Sequence, residues 1–101
     1  MHIVNLLLSH GANPETSDDT GMTPLISASS RGFINITHTL IQNKVDVDME
    51  DNSGSSALHH AILGNYQDIT KLLVNNKANM EIENKDGLTP LLLATSFGFL
   101  T

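Results

Sequence analysis

The chain has 101 residues, of which 40% are apolar, no cysteine and a formal net charge of −6. This length allows one domain at most, and the lack of cysteine excludes both a disulfide framework and thiolate chemistry. The acidic balance argues against nucleic acid and against anionic membranes as partners, because both require a basic surface.

The most informative feature is a block of sequence that returns every 33 residues. Gly21, Gly54 and Gly87 each open a similar stretch, and several apolar columns keep the same phase. The aligned columns are Leu25–Leu58–Leu91, Ala28–Ala61–Ala94, Ile3–Ile36–Ile69, Leu7–Leu40–Leu73 and Leu8–Ile41–Val74. This period indicates a stack of like units, which offers a long surface for binding and few deep pockets.

Taken in chain order, the spacing first predicts a helix over residues 2–10, then two helices in each complete unit. A first helix is expected from Pro24 to Arg31, because Thr23 can cap it and Gly32 can end it in a left-handed conformation. A second helix is expected over 34–42, followed by a polar turn over 46–53. In the next unit the first helix should stop at Asn65 and the second should cover 67–75.

The last segment, 88–99, matches a first helix that stops at Gly98. The phase divides the chain into a partial unit 1–20, complete units 21–53 and 54–86, and a partial unit 87–101. Because neither end carries a polar capping unit, we expect part of a longer array. Such a chain should be weakly stable or should self-associate through its ends, and the residues expected to do so are Leu91, Leu92, Phe99 and Leu100.

These residues resemble the ankyrin repeat over essentially the whole chain. The resemblance rests on Thr23-Pro24-Leu25, the glycine nine residues after Thr23, the pair Leu40-Ile41 and the loop Gly11-Ala12-Asn13. It implies an all-α solenoid of helix–turn–helix units with projecting β-hairpin-like loops. The histidine that usually follows Thr-Pro-Leu occurs here only as His59, and the resemblance implies structural hydrogen bonds for it.

Two further departures from the family pattern bear on stability. Lysine stands at 44 and 77, where the family usually has the glycine that survives here as Gly11, and a non-glycine costs about 1 kcal/mol if the left-handed backbone is kept. The asparagine usual in the loop is replaced by acids, namely Glu15, Asp48 and Glu81. Together these changes suggest a marginally stable array.

The sequence contains no pattern that supports catalysis, a metal or another cofactor. His59 and His60 are adjacent and so point about 100° apart on a helix, which is unsuitable for sharing one ion. The acidic stretch from Asp46 lacks the glycine and the glutamate that a calcium loop requires. Asn35-Ile36-Thr37 is a formal glycosylation acceptor that we interpret as chance, since no leader precedes it and a packed helix holds it.

We therefore predict a protein partner, bound on the concave side that ankyrin arrays usually use. The loop-tip residues expected there are Asp19, Thr20, Asn52, Ser53, Lys85 and Asp86, the residues after each glycine are Met22, Ser55 and Leu88, and the helix-end residues are Ser30, Arg31, Leu63 and Phe97. Acids around an apolar stripe favour a basic or extended partner segment. The acids also fit an ordinary solvated surface, and the apolar residues also fit scattered surface or inter-repeat packing.

The functional hypothesis is a non-catalytic protein-interaction module or scaffold in an intracellular, cytoplasmic protein. One alternative is a targeting or regulatory arm of a larger enzyme or channel, and another is a structural spacer within a long array.

Overall fold

The computed structural model describes residues 2–99, which form six α-helices. They are α1 (His2–Ser9), α2 (Pro24–Arg31), α3 (Ile34–Gln42), α4 (Ala57–Leu63), α5 (Gln67–Asn75) and α6 (Pro90–Ser96). In this described part, strand pairing is limited to one antiparallel bridge, between Glu50 and Ser56. The helices stack into a body of 41 × 27 × 20 Å, so the predicted all-α solenoid is confirmed.

The helix boundaries follow from local caps. The Thr23 hydroxyl accepts a hydrogen bond from the Ile26 N–H at 3.3 Å, and Pro24 follows at the first helical position. The left-handed residues predicted after the first helices are Gly32, Asn65 and Gly98, with φ of +77°, +56° and +70°. Helix α4 ends two residues before Asn65 and helix α6 ends two residues before Gly98, while α2 ends directly before Gly32.

The core lies between paired helices of the two complete units. The first helices α2, α4 and α6 pack in sequence, α2 and α4 each pair with the helix that follows, and α3 also contacts α5. Leu40, Leu58, Ile69 and Leu73 are each at most 2% exposed, so these members of the apolar columns lie in the core, as expected. Burying aliphatic side chains of this size stabilises the fold by about 1.5–3 kcal/mol each.

The loop before each first helix is a short hairpin. In all three loops the backbone N–H at one position donates to the carbonyl four residues on, over 2.9–3.1 Å. The pairs are Asp18–Met22, Asp51–Ser55 and Asn84–Leu88. The predicted hairpin-like loops are therefore present before α2, α4 and α6.

Lys44 and Lys77 keep the left-handed backbone that a glycine would adopt without strain, with φ of +61° and +67°. We expect Lys77→Gly to raise the free energy of unfolding by up to about 1 kcal/mol, because relief of strain exceeds the extra chain entropy of glycine. Urea denaturation would measure the change. Lys77→Ala removes the charge and keeps the strain, so an equal gain from both variants would contradict this explanation.

Candidate functional site

Hydrogen bonds between neighbouring loops join the three loop tips into one continuous surface, here called the loop strip. The Asn52 N–H donates to the Thr20 carbonyl at 3.0 Å, and the Asn52 side-chain amide donates to the Asp19 carbonyl at 3.0 Å. One unit further, the Lys85 N–H donates to the Ser53 carbonyl at 2.9 Å. Five of the predicted loop-tip residues are thus held side by side, which gives the strip a defined spacing.

An oxygen of one side chain organises each loop from inside. The Asp18 carboxylate accepts hydrogen bonds from the Thr20 N–H and hydroxyl and from the Met22 N–H, over 2.7–3.0 Å. The Thr20 hydroxyl, followed by the Met22 N–H, lowers the pKa of Asp18, and these bonds outweigh the opposing effect of burial. Asn84 makes the equivalent backbone bonds, to Asp86 and Leu88, at 2.9 and 3.0 Å.

The middle loop has an additional partner. Asp51 accepts from the Ser53 N–H, the Ser53 hydroxyl and the Ser55 N–H through one oxygen, and its other oxygen lies 2.8 Å from Nε2 of His60. Burial acts to raise the pKa of Asp51, but the hydrogen bonds from Ser53, His60 and Ser55 together prevail and lower it. The Asp51–His60 pair ties the loop to helix α4.

This pair leads to a prediction about pH. The pKa of Asp51 is lowered from its ordinary value of 3.8, so the carboxylate stabilises the fold above that pH and loses this effect as the pH falls through the folded pKa. We expect Asp51→Asn to be less stable than wild type near neutral pH, and the difference to shrink below about pH 4.

Thermal unfolding at several pH values would measure this difference. Asn84 already organises a loop with an amide oxygen, so Asp51→Asn should keep the loop geometry and remove mainly the charge. A difference that stays constant from neutral to acid pH would contradict the assignment.

His59 connects two units through its ring. Nδ1 accepts from the Ser56 N–H at 3.2 Å, and Nε2 lies 2.8 Å from the Leu88 carbonyl of the next loop. Since a carbonyl only accepts, Nε2 carries the proton. The Ser56 hydroxyl also accepts from the His59 N–H at 3.4 Å, which completes a capping box. The structural role predicted for His59 is confirmed.

A cavity of about 390 Å³, here called the loop groove, opens between the strip of loops and the ends of α4 and α6. It is lined by predicted residues of all three kinds: two loop-tip residues, two residues that follow a glycine and two helix-end residues, namely Ser53, Asp86, Ser55, Leu88, Leu63 and Phe97. The side chains that face it include Leu63, Asp86, Leu88 and Phe97. The arrangement can hold an apolar group beside a carboxylate.

Three sequence expectations about this surface need correction. Ser55 is buried, at 8% exposure, because its short side chain ends beneath the loop, where its hydroxyl lies 3.0 Å from that of Ser53. Met22 and Leu88, predicted to be exposed, are half-buried, and Met22 packs against the core. Leu63 and Phe97 do keep 53% of their surface exposed.

The other predicted residues lie outside the loop groove. Asp19, Thr20, Asn52 and Lys85 are exposed along the loop strip, Arg31 is exposed and Ser30 is half-buried at the end of α2.

Sequence reasoning missed His60 as a lining residue of the loop groove. The orientation of His60 could be predicted, because it stands three residues before Leu63 and so shares a helix face with that residue. What the sequence lacked was a reason to choose His60, because its column holds Ser27 and Leu93 in the other units.

Two features are absent from the described residues. Between residues 2 and 99, no group of three or more His, Cys, Asp or Glu side chains could hold a metal ion. In the same range, no helix has the length and apolarity needed to cross a bilayer. The Thr37 hydroxyl of the formal glycosylation acceptor is buried and donates to the Phe33 carbonyl at 2.8 Å.

Comparison with known proteins agrees with the repeat geometry. A family model of ankyrin repeats, in three copies, matches residues 1–84. A 39-residue stretch is 54% identical to part of the ankyrin repeat protein YahD of Escherichia coli strain K12, and it covers 39% of this chain and 19% of that protein. The match therefore spans about a fifth of the length of that relative. Since the family model covers more than half of the sequence, the chain belongs to the ankyrin-repeat family.

Proposed function

We propose that the chain is a non-catalytic protein-interaction module that binds a segment of a partner protein in the loop groove. Ankyrin repeats are generally protein–protein interaction modules, which supports the class of function. The observation that carries the site is the loop groove itself, where exposed Leu63 and Phe97 lie beside Asp86 in one cavity. An apolar centre with a polar edge is the usual composition of a protein-binding patch.

The charge around the loop groove favours a partner segment that is basic and extended. Asp86 lines the cavity and Asp19 is exposed on the same strip of loops, while the chain as a whole carries a net charge of −6. Complementary charge speeds encounter and selects partners even where it adds little affinity. A segment with one large apolar side chain next to Lys or Arg would satisfy both parts of the cavity.

The partner contacts in this proposal run along the stack. The loop strip contributes Ser53 within the loop groove and Asp19, Thr20, Asn52 and Lys85 beside it, and the end of α2 contributes Ser30 and Arg31. The units 1–20, 21–53, 54–86 and 87–101 would then act as one surface, because the hydrogen bonds between loop tips fix their spacing.

Selection from a displayed library of random peptides would test this proposal. Peptides that bind the wild type should be enriched in an apolar residue next to Lys or Arg. Leu63→Glu and, separately, Asp86→Lys should weaken their binding by at least about tenfold, the equivalent of 1.4 kcal/mol. Both side chains are exposed, so the helical content should not change.

Phe33→Glu is the matched control, because Phe33 is 47% exposed and lies outside the loop groove. Equal loss of binding in Phe33→Glu, or unchanged binding in both groove variants, would contradict the proposed site. Selected peptides without basic residues would contradict the proposed partner chemistry.

A further inference from the structure

A second and larger cavity lies at the C-terminal end of the stack, and none of the residues that line it lines the loop groove. This cavity, here called the helix groove, has a volume of about 660 Å³ and runs between α4, α5 and α6. Its apolar lining includes Leu58, Ile62, Val74, Met80, Leu91 and Phe99. Leu91 is 76% exposed, whereas Leu25 and Leu58 of the same column are each 2% exposed.

Comparison with the preceding unit indicates which kind of segment fits the helix groove. Subtracting 33 from Val74, Met80, Leu91 and Phe99 leads to positions that all belong to the core or pack against it. These equivalents are Ile41, Val47, Leu58 and Tyr66. The same core cluster contains Ile69 and Leu73 of α5, both 0% exposed. The helix groove is therefore the equivalent, one unit further along the stack, of the apolar surface against which α5 packs.

One helix of the chain has the α5 pattern on an exposed face. Ile3 and Leu7 of α1 occupy the columns of Ile69 and Leu73, yet they are 73% and 55% exposed. The α1 segment contains no Asp, Glu, Lys or Arg, so burying its apolar face would desolvate none of these charged side chains. An apolar face of this size on a short helix is a typical association surface.

We infer that α1 of a second copy of the chain docks in the helix groove. Ile3 and Leu7 of that copy would join Leu91 in one apolar cluster, as Ile69 and Leu73 share a core cluster with Leu58 within the chain. The contact joins two different surfaces, so it is head-to-tail, and each added copy leaves a further α1 and a further groove open. This surface is separate from the loop groove and does not depend on the function proposed above.

Charge works against this association at long range. Each copy carries a net charge of −6, and the repulsion between like-charged copies is screened as salt is added. The apolar contact itself depends little on screening, so association should strengthen when salt is raised from low to physiological concentration.

Sedimentation velocity of the 101-residue chain tests the inference. The wild type should form species heavier than its monomer mass of 10.9 kDa as concentration rises. Leu7→Glu places a charge on the apolar face of α1, and Leu91→Glu places a charge in the helix groove. Each variant alone should therefore sediment as a monomer with unchanged helical content. An equimolar mixture of the two should form a one-to-one dimer and nothing larger, because one intact α1 then meets one intact groove.

The controls separate this surface from the loop groove. Leu63→Glu changes a leucine that is 53% exposed, close to the 55% of Leu7, and lies outside the helix groove, so this variant should associate as the wild type does. A wild type that stays monomeric at all concentrations would overturn the inference, as would a Leu7→Glu variant that still dimerises, which would indicate groove-to-groove pairing. Monomeric Leu63→Glu would overturn it too, whereas loss of peptide binding in that variant concerns only the proposed function.

Discussion

Replacing His59 with alanine is expected to lower the free energy of unfolding by about 2–4 kcal/mol. The ring is 2% exposed, so its removal leaves a cavity in the interior of the stack. It also removes the acceptor of the Ser56 N–H and one donor to the Leu88 carbonyl. Because the second of these bonds links α4 to the next loop, the loss should loosen the contact between units. Chemical denaturation followed by circular dichroism would measure the change.

Two other variants separate packing from hydrogen bonding at this position. Ile26 fills the same column in the preceding unit and is 1% exposed, so His59→Ile should restore the packing and not the bonds. We expect His59→Ile to fall between wild type and His59→Ala. His60→Ala changes the neighbouring, less buried histidine and should cost about 1 kcal/mol or less. A stability of His59→Ile equal to wild type would show that the hydrogen bonds contribute nothing.

Replacing Leu73 with alanine is expected to cost about 2–5 kcal/mol. Leu73 is 0% exposed and lies in the core cluster with Leu58 and Ile69. The truncation removes buried methyl groups that no nearby side chain can replace, since short helices in a thin stack have few neighbours with which to repack. Urea denaturation of the wild type and the variant would measure the difference.

Leu7→Ala is the matched control, because it makes the same substitution in the same column of the repeat. Leu7 is 55% exposed, so the cost should stay below about 1 kcal/mol at a protein concentration where the chain is monomeric. Equal losses from the two variants would show that α1 is buried in solution, contrary to the structure of the single chain.

Local features of this protein could be predicted from sequence because each depends on residues a few positions apart. The cap at Thr23, the left-handed residues at Gly32 and Asn65, and the strained backbone at Lys77 belong to this group. The 33-residue period adds the apolar columns, since equivalent residues in a repeat have equivalent neighbours. These features were enough to identify the fold.

The candidate site was only partly predictable. The loop groove contains predicted residues such as Leu63 and Phe97, but it also contains His60, whose column is not conserved between units. Ser55 was expected at the surface and is buried, because side-chain length decides whether a residue after the glycine reaches solvent. The hydrogen bond between His60 and Asp51 joins a helix to a loop nine residues away in sequence, and the repeat pattern does not predict it.

The sequence by itself determined the period, the helices, their caps and the family, because backbone preferences and apolar spacing act over short distances. The tertiary structure alone decided which members of each column are buried. Leu7 and Leu73 have the same place in the repeat, yet one is 55% and the other 0% exposed. Burial depends on which helix lies opposite, so two residues with the same local pattern differ once their neighbours differ.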